Sequence, residues 1–181
     1  MFERLGHRLR AYAEKDGRGY PDWALRYLPI IRRLRKQDLT GKCIVEIGAN
    51  AAGFARFARV RTIAVDRELQ SLREARACRF ILPVAADGTA LPFRDHSVDV
   101  CLCIDTIEHL PRAVRQSALA QIVRVLRGTG AGAIAFPSGK GAARAERRIR
   151  QEYHHRTGRT LPWLEEHAAL GFRHDGAGLG A

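Results

Sequence analysis

Apolar residues over the first forty positions recur at helical spacing, and from Cys43 onward short apolar runs alternate with amphipathic segments. Phe2, Leu5, Leu9 and Tyr12 mark one helical stripe; Trp23, Tyr27, Ile30 and Leu34 mark a second. Gly17, Gly19 and Pro21 break the chain between them, and Pro29 starts or kinks the second helix. A leader of this kind packs on a sheet edge or covers a ligand pocket. The apolar runs predict strands over 43–47, 61–65, 80–86, 98–104 and 131–136. Pro83 makes the third of these short or places it at an edge. Helices are predicted over 51–59, 67–77 and 111–127, the last closed by Arg127-Gly128-Thr129-Gly130 as a C-terminal cap. Strands alternating with helices mean βαβ units, whose right-handed crossovers give an α/β fold: a mostly parallel, Rossmann-like sheet with helices on both faces. After Pro137 a basic helix is predicted over 140–156, a break at Thr157–Thr160, and a further helix over Leu161–Leu170 with Pro162 near its start. The tail 176–181 is expected to fray. The chain thus divides into a helical leader (1–40), an alternating core (41–138) and a helical C-terminal segment (139–181).

Carboxylates punctuate the predicted strands. The first run carries Glu46 and ends in the turn Gly48-Ala49-Asn50-Ala51-Ala52-Gly53. Asp66 closes the second run, Asp87 the third and Asp105 the fourth. In a parallel sheet these positions share one edge, where open α/β folds bind ligands. Four acids in register suit a ligand with hydroxyl, amine and cationic groups better than they suit solvated strand ends.

Composition narrows the picture less. The 181 residues suffice for one domain with a core and not comfortably for two. No apolar run approaches the roughly 20 residues of a membrane span, and the charged start Met1–Arg8 has no signal-peptide core. The expected location is the cytoplasm. Cys43, Cys78, Cys101 and Cys103 form no C-x-x-C pair and read as buried, reduced thiols. The net charge of +12 admits a nucleic-acid partner. However, the arginines are dispersed without a dense basic tail, so a compositional origin is favoured and nucleic acid disfavoured.

Three pieces in order carry a family resemblance: Ile44-Val45-Glu46-Ile47-Gly48-Ala49-Asn50-Ala51-Ala52-Gly53, then Asp87-Gly88-Thr89-Ala90-Leu91-Pro92-Phe93 with Asp95-His96-Ser97-Val98-Asp99-Val100, then Arg124-Val125-Leu126-Arg127-Gly128-Thr129-Gly130. Over roughly residues 40 to 138 the chain resembles the class I S-adenosylmethionine-dependent methyltransferases of the type 11 branch. The resemblance implies S-adenosyl-L-methionine as cofactor. Glu46 would meet its ammonium and Gly48 would allow close backbone approach. The family usually has glycine where Asn50 and Ala52 stand; Asn50 tolerates positive φ better than most residues, and Gly53 would restore the turn one position later. Asp66 would accept from the ribose hydroxyls and Asp87 from the adenine amino group, with the Gly88 backbone near the ring. Asp105 would face the sulfonium. Leu91 and Phe93 pack near the base or, more simply, in the core.

The loop Asp105-Thr106-Ile107-Glu108-His109-Leu110-Pro111 lies where methyl group and acceptor would meet. It lacks the Asp/Asn-Pro-Pro-aromatic motif of nucleobase amino methylation and a Pro-Cys nucleophile. The expected acceptor is a small or lipid-like molecule; the alternatives are an RNA or protein methyltransferase, or a non-catalytic partner subunit. His109 is the candidate catalytic base, the rival role being stabilisation of the helix at Pro111. Tyr153-His154-His155 with Glu152 or His167 matches no standard metal spacing, so no metal ligand is assigned. The family's sheet has seven strands, yet only about 45 residues follow the fifth here, few for two more strands with their helices. Five strands are expected, at most six, with Gly171–Asp175 the only further candidate. An uncovered fifth strand then implies a C-terminally truncated family pattern, a protein partner at the exposed edge, or helices from 140–170 folded over it.

Overall fold

The computed structural model describes residues 20–49, 53–170 and 172–174. The first leader stripe, Asn50 and the tail lie outside the described residues. The elements are helix α1 (Tyr20–Leu34), strand β1 (Ile44–Ile47), α2 (Gly53–Ala58), β2 (Thr62–Asp66), α3 (Leu69–Ala75), β3 (Ile81–Ala85), β4 (Val98–Ile104), a 3₁₀ turn (Ile107–His109), α4 (Arg112–Val125), β5 (Leu126–Ala135), α5 (Gly139–Thr157) and α6 (Pro162–Ala169).

The five strands form one parallel sheet in the order β3-β2-β1-β4-β5. β3, the strand containing Pro83, is an edge strand and is five residues long. The order reverses between β1 and β4, and that switch point defines the place where ligands enter such sheets.

Side-chain alternation builds a core on each face. Val45, Ile47, Cys101 and Cys103 point to one side and pack with Ala118, Ile122 and Val125 of α4. Ile44, Val100, Leu102 and Ile104 point to the other and pack with Tyr27, Ile31 and Leu34 of α1 and Phe54 of α2. The sheet centre is buried on both faces, hence the nearly continuous apolar runs of β1 and β4. Burial pushes the thiols of Cys101 and Cys103 up to about 12, so they act as small hydrophobes.

The leader helix covers a sheet face and not an edge. Pro21 sits in its first turn, and Pro29 lies inside it instead of starting it. A larger correction concerns Arg127–Gly130. They do not cap α4, which ends at Val125 with Leu126 already extended; the chain passes straight into β5. The register with β4 shifts between Val98 and Val100. At Gly130 a Cβ would lie 2.9 Å from the Arg127 carbonyl oxygen and 3.1 Å from that of Asp99. Glycine there permits a close backbone approach at the bulge.

Five strands are present among the described residues. Phe172, Arg173 and His174 form no strand. β5 pairs with β4 on one side, and its outward-facing Ile134 is exposed. No described helix is long and apolar enough to cross a membrane.

Candidate functional site

The strand-end carboxylates converge as the parallel register requires. Ile47 stands level with Val65 and with Cys103, and Asp66 with Ala85. Glu46, Asp66, Asp87 and Asp105 therefore lie along the carboxyl edge of four neighbouring strands. Gly48 leaves β1 at φ +68° and donates to the Val65 carbonyl at 2.8 Å. A Cβ on Gly48 would collide with the side chain of Thr106, which folds over this turn. Gly53 opens α2 at φ +29°, and a Cβ on it would press against Glu46 Oε2.

Each acid is already engaged by the chain. Glu46 is 1% exposed; its Oε1 accepts from the Tyr27 hydroxyl at 2.7 Å and its Oε2 from the Phe54 amide at 2.6 Å. Burial pushes its carboxyl up to about 7, although both hydrogen bonds pull the other way. The residue ties α1, β1 and the start of α2 together, and each oxygen keeps a second lone pair. Asp66 accepts from the Glu68 amide at 2.9 Å. Asp87 accepts from the Thr89 amide at 2.8 Å and hydroxyl at 2.7 Å, and Arg67 stands 3.4 Å away. Those bonds hold Asp87 below the usual carboxylate range. Gly88 backs onto Ile47, whose Cγ2 would lie 3.1 Å from an added Cβ. Asp105 has φ +48° and pairs with Arg26 of α1 at 2.6 Å. The leader helix thus reaches this edge through Arg26 and Tyr27. Leu91 is buried in the core with Phe93 against it, so packing is their observed role. Gln121 and Arg124 of α4 hold that loop: the Leu91 amide donates to Gln121, and Arg124 donates to the carbonyls of Leu91 and Phe93.

Beyond β4 the site is assembled from distant segments. Arg115 of α4 is fully buried, donating to the carbonyls of Ile107, Leu110, Glu108 and Leu170. His109 Nδ1 meets Glu166 at 2.9 Å, and His109 Nε2 lies 3.4 Å from His167 Nε2. His167 is buried; its Nδ1 meets Glu146 of α5 at 3.2 Å, and Glu146 reaches His174 at 3.0 Å. Burial, then the neighbouring His109, hold His167 below the ordinary histidine range. Glu108 is 1% exposed, and burial pushes its carboxyl up to about 8. His154 and His155 are exposed on α5 and Glu152 pairs with Arg148, so that trio gathers no site with His167.

A cleft of about 620 Å³ opens at the opposite end of the sheet, lined by Arg35, Lys42, Cys43, Arg61 and Leu82 among others. It holds none of the strand-end acids and lies at the amino ends of β1 and β2, away from the switch point.

The model of the family described as methyltransferase domain matches residues 45–134, the span from β1 to the end of β5. The chain carries a class I methyltransferase domain. Membership implies S-adenosylmethionine as the cofactor. An "Uncharacterized methyltransferase" of Mycobacterium marinum is 31% identical over 108 residues, covering 56% of this chain and 42% of that protein. One from Mycobacterium leprae is 35% identical over 78 residues, covering 40% and 29%. The chain spans about two fifths of the length of the first of these relatives. Among solved structures, the PH0226 protein of Pyrococcus horikoshii matches with a TM-score of 0.62 at 16% identity, over 75% of this chain and 65% of that one. A Haloferax volcanii putative methyltransferase, in complex with the Trm112 methyltransferase activator, matches at 0.59 and 21%, over 90% and 75%. A possible histamine N-methyltransferase of Thermotoga maritima matches at 0.58 and 20%, over 89% and 80%. At these identities the likeness is one of fold.

Within the methyltransferase domain, the strand-end acids were legible because each closes an apolar run. Arg26, Thr106, Arg115, Glu146, Glu166 and His167 were not. No local pattern announces them, since the contacts that define them span from 21 residues, for Glu146 with His167, to 79, for Arg26 with Asp105.

Proposed function

We propose that the chain binds S-adenosylmethionine along the carboxyl edge of β1 to β4 and transfers its methyl group to a small or lipid-like acceptor. The observation that carries this is the alignment of Glu46, Asp66, Asp87 and Asp105 beside the positive-φ turn at Gly48, at the switch point of the sheet. Asp66 accepts from the ribose hydroxyls and Asp87 from the adenine amino group through the oxygens their short local bonds leave open. The Gly48 backbone approaches the aminoacyl end, with Asn50 and Gly53 shaping the turn. Glu46 offers the ammonium an acceptor oxygen, and Gly88 borders the ring. Asp105 flanks the sulfonium end. The reaction is an in-line displacement: an acceptor lone pair bonds the methyl carbon as the carbon–sulfur electrons return to sulfur. The protein contributes chiefly position and exclusion of water. His109, at the mouth of the post-β4 loop, is the side chain placed to take the acceptor proton.

Calorimetric titration with S-adenosylhomocysteine tests the cofactor site, and mass-spectrometric screening for methylated products tests the acceptor class. Absence of binding to the folded chain would overturn the site. A second reading, a protein partner along β5, is favoured by its unpaired outer edge among the described residues. A chain that sediments as a monomer at all concentrations and pulls no partner onto β5 would remove it.

A further inference from the structure

Glu108, His109 and His167 come from two segments nearly sixty residues apart, yet one ligand atom of each lies within 4.8 Å of the others. Both histidines present Nδ1 to a carboxylate, Glu166 for one and Glu146 for the other. An ionised carboxylate only accepts, so each Nδ1 is placed to donate, and in the neutral tautomer each Nε2 is left with a lone pair. Those two lone pairs face one another at 3.4 Å. Two neutral acceptors at that distance repel unless a proton or a metal cation joins them. Beside them sits the fully buried Glu108, whose Oε2 has no hydrogen-bond partner among the described residues.

From these contacts we infer a divalent transition-metal site of the zinc type, with His109 Nε2, His167 Nε2 and a Glu108 oxygen as its protein ligands. The spacing favours four-coordination. Zinc–nitrogen bonds of about 2.0–2.1 Å at the tetrahedral angle separate two nitrogens by about 3.3–3.4 Å, and the imidazoles already stand at that separation. An octahedral magnesium ion with bonds of about 2.0–2.1 Å would need them near 3 Å and prefers oxygen ligands. Glu146 and Glu166 then take the part of outer carboxylates that fix the ring orientation. His109, one-third exposed, provides the path of entry. Three protein ligands leave a fourth position open. That position would hold water or an oxygen of the methyl acceptor. A metal on His109 Nε2 takes up the lone pair that His109 would otherwise use to accept the acceptor proton, so the loaded site replaces that base role. Only the acceptor oxygen and this replacement rest on the proposed methyl transfer.

The test uses the full chain without a polyhistidine tag, stripped with chelator and titrated calorimetrically with Zn²⁺ alone and with Mg²⁺ alone. The expected result is one Zn²⁺ per chain, bound in preference to Mg²⁺. His109→Ala and the isosteric Glu108→Gln should each weaken it at least 10-fold, and Glu146→Gln about 10- to 100-fold. The paired change His154→Ala and His155→Ala should leave the isotherm unaltered, since both rings lie on the exposed face of α5. Zinc affinity unchanged in His109→Ala and Glu108→Gln, affinity lost with His154 and His155, or preference for Mg²⁺ would overturn the site. Should His109→Ala fail to fold, Glu108→Gln carries the test. S-adenosylhomocysteine titrated into the metal-free chain reads the cofactor site separately, so either proposal can fail while the other stands.

Discussion

The two halves of the candidate site are built in opposite ways. On the β2–β3 side, acids are held by neighbours two residues along: Asp66 by the Glu68 amide and Asp87 by Thr89. These are short Asx-type contacts at strand ends, partly open to solvent. On the post-β4 side, buried groups are held across the fold: Arg115 by Leu170, His109 by Glu166 and His167, His167 by Glu146. The first half stands wherever the strands stand. The second exists only when α5 and α6 lie against the 3₁₀ turn. A cofactor edge can therefore persist while the acceptor side is lost, and mutations should separate the two.

The widest separation is expected at Arg115. Replacing it with alanine removes its hydrogen bonds to four carbonyls, two of them fully buried, and should cost about 3–5 kcal/mol of stability. Urea unfolding measures this, and a loss below about 1 kcal/mol would show that α6 is not secured through this residue.

Next comes a pH effect at the hinge between the halves. The Glu46 carboxyl lies near 4.5 when unfolded and is raised to about 7 in the fold. Below pH 4.5 both states hold the proton and stability is level. Between about 4.5 and 7 only the folded state holds it, so stability falls as pH rises, by on the order of 3 kcal/mol in all. Above that window the loss is complete. Glu46→Gln should flatten this limb in denaturation curves taken across the range; an unchanged slope would assign it to other groups, Glu108 first.

Gly48→Ala should cost about 2–4 kcal/mol, from the left-handed backbone and the collision with Thr106 together. Unlike Arg115→Ala, it strikes the seam where both halves touch, so cofactor affinity should fall with stability. Retained affinity in a destabilised variant would detach the turn from the ligand.

The smallest effect sharpens the contrast most. Asp66→Ala should weaken S-adenosylhomocysteine binding by about 1.5–3 kcal/mol through lost charged hydrogen bonds, while the melting temperature barely moves. Equal loss of stability and affinity would make Asp66 a strand cap and nothing more.

Sequence by itself determined the alternating architecture, because hydrophobic period and turn residues are local and each strand repeats them. It placed β3 at an edge through Pro83, and it located Glu46, Asp66, Asp87 and Asp105 at strand ends. It misjudged Arg127–Gly130 because glycines after a helix usually cap it; here they admit the close approach of β4 and β5 at a bulge. Only the tertiary structure decided that Tyr27 closes over Glu46, that Arg26 pairs with Asp105, and that Glu108 and His109 meet His167. Those contacts join residues far apart in sequence. Their existence depends on which helix faces fold over which loop, and no local periodicity encodes that.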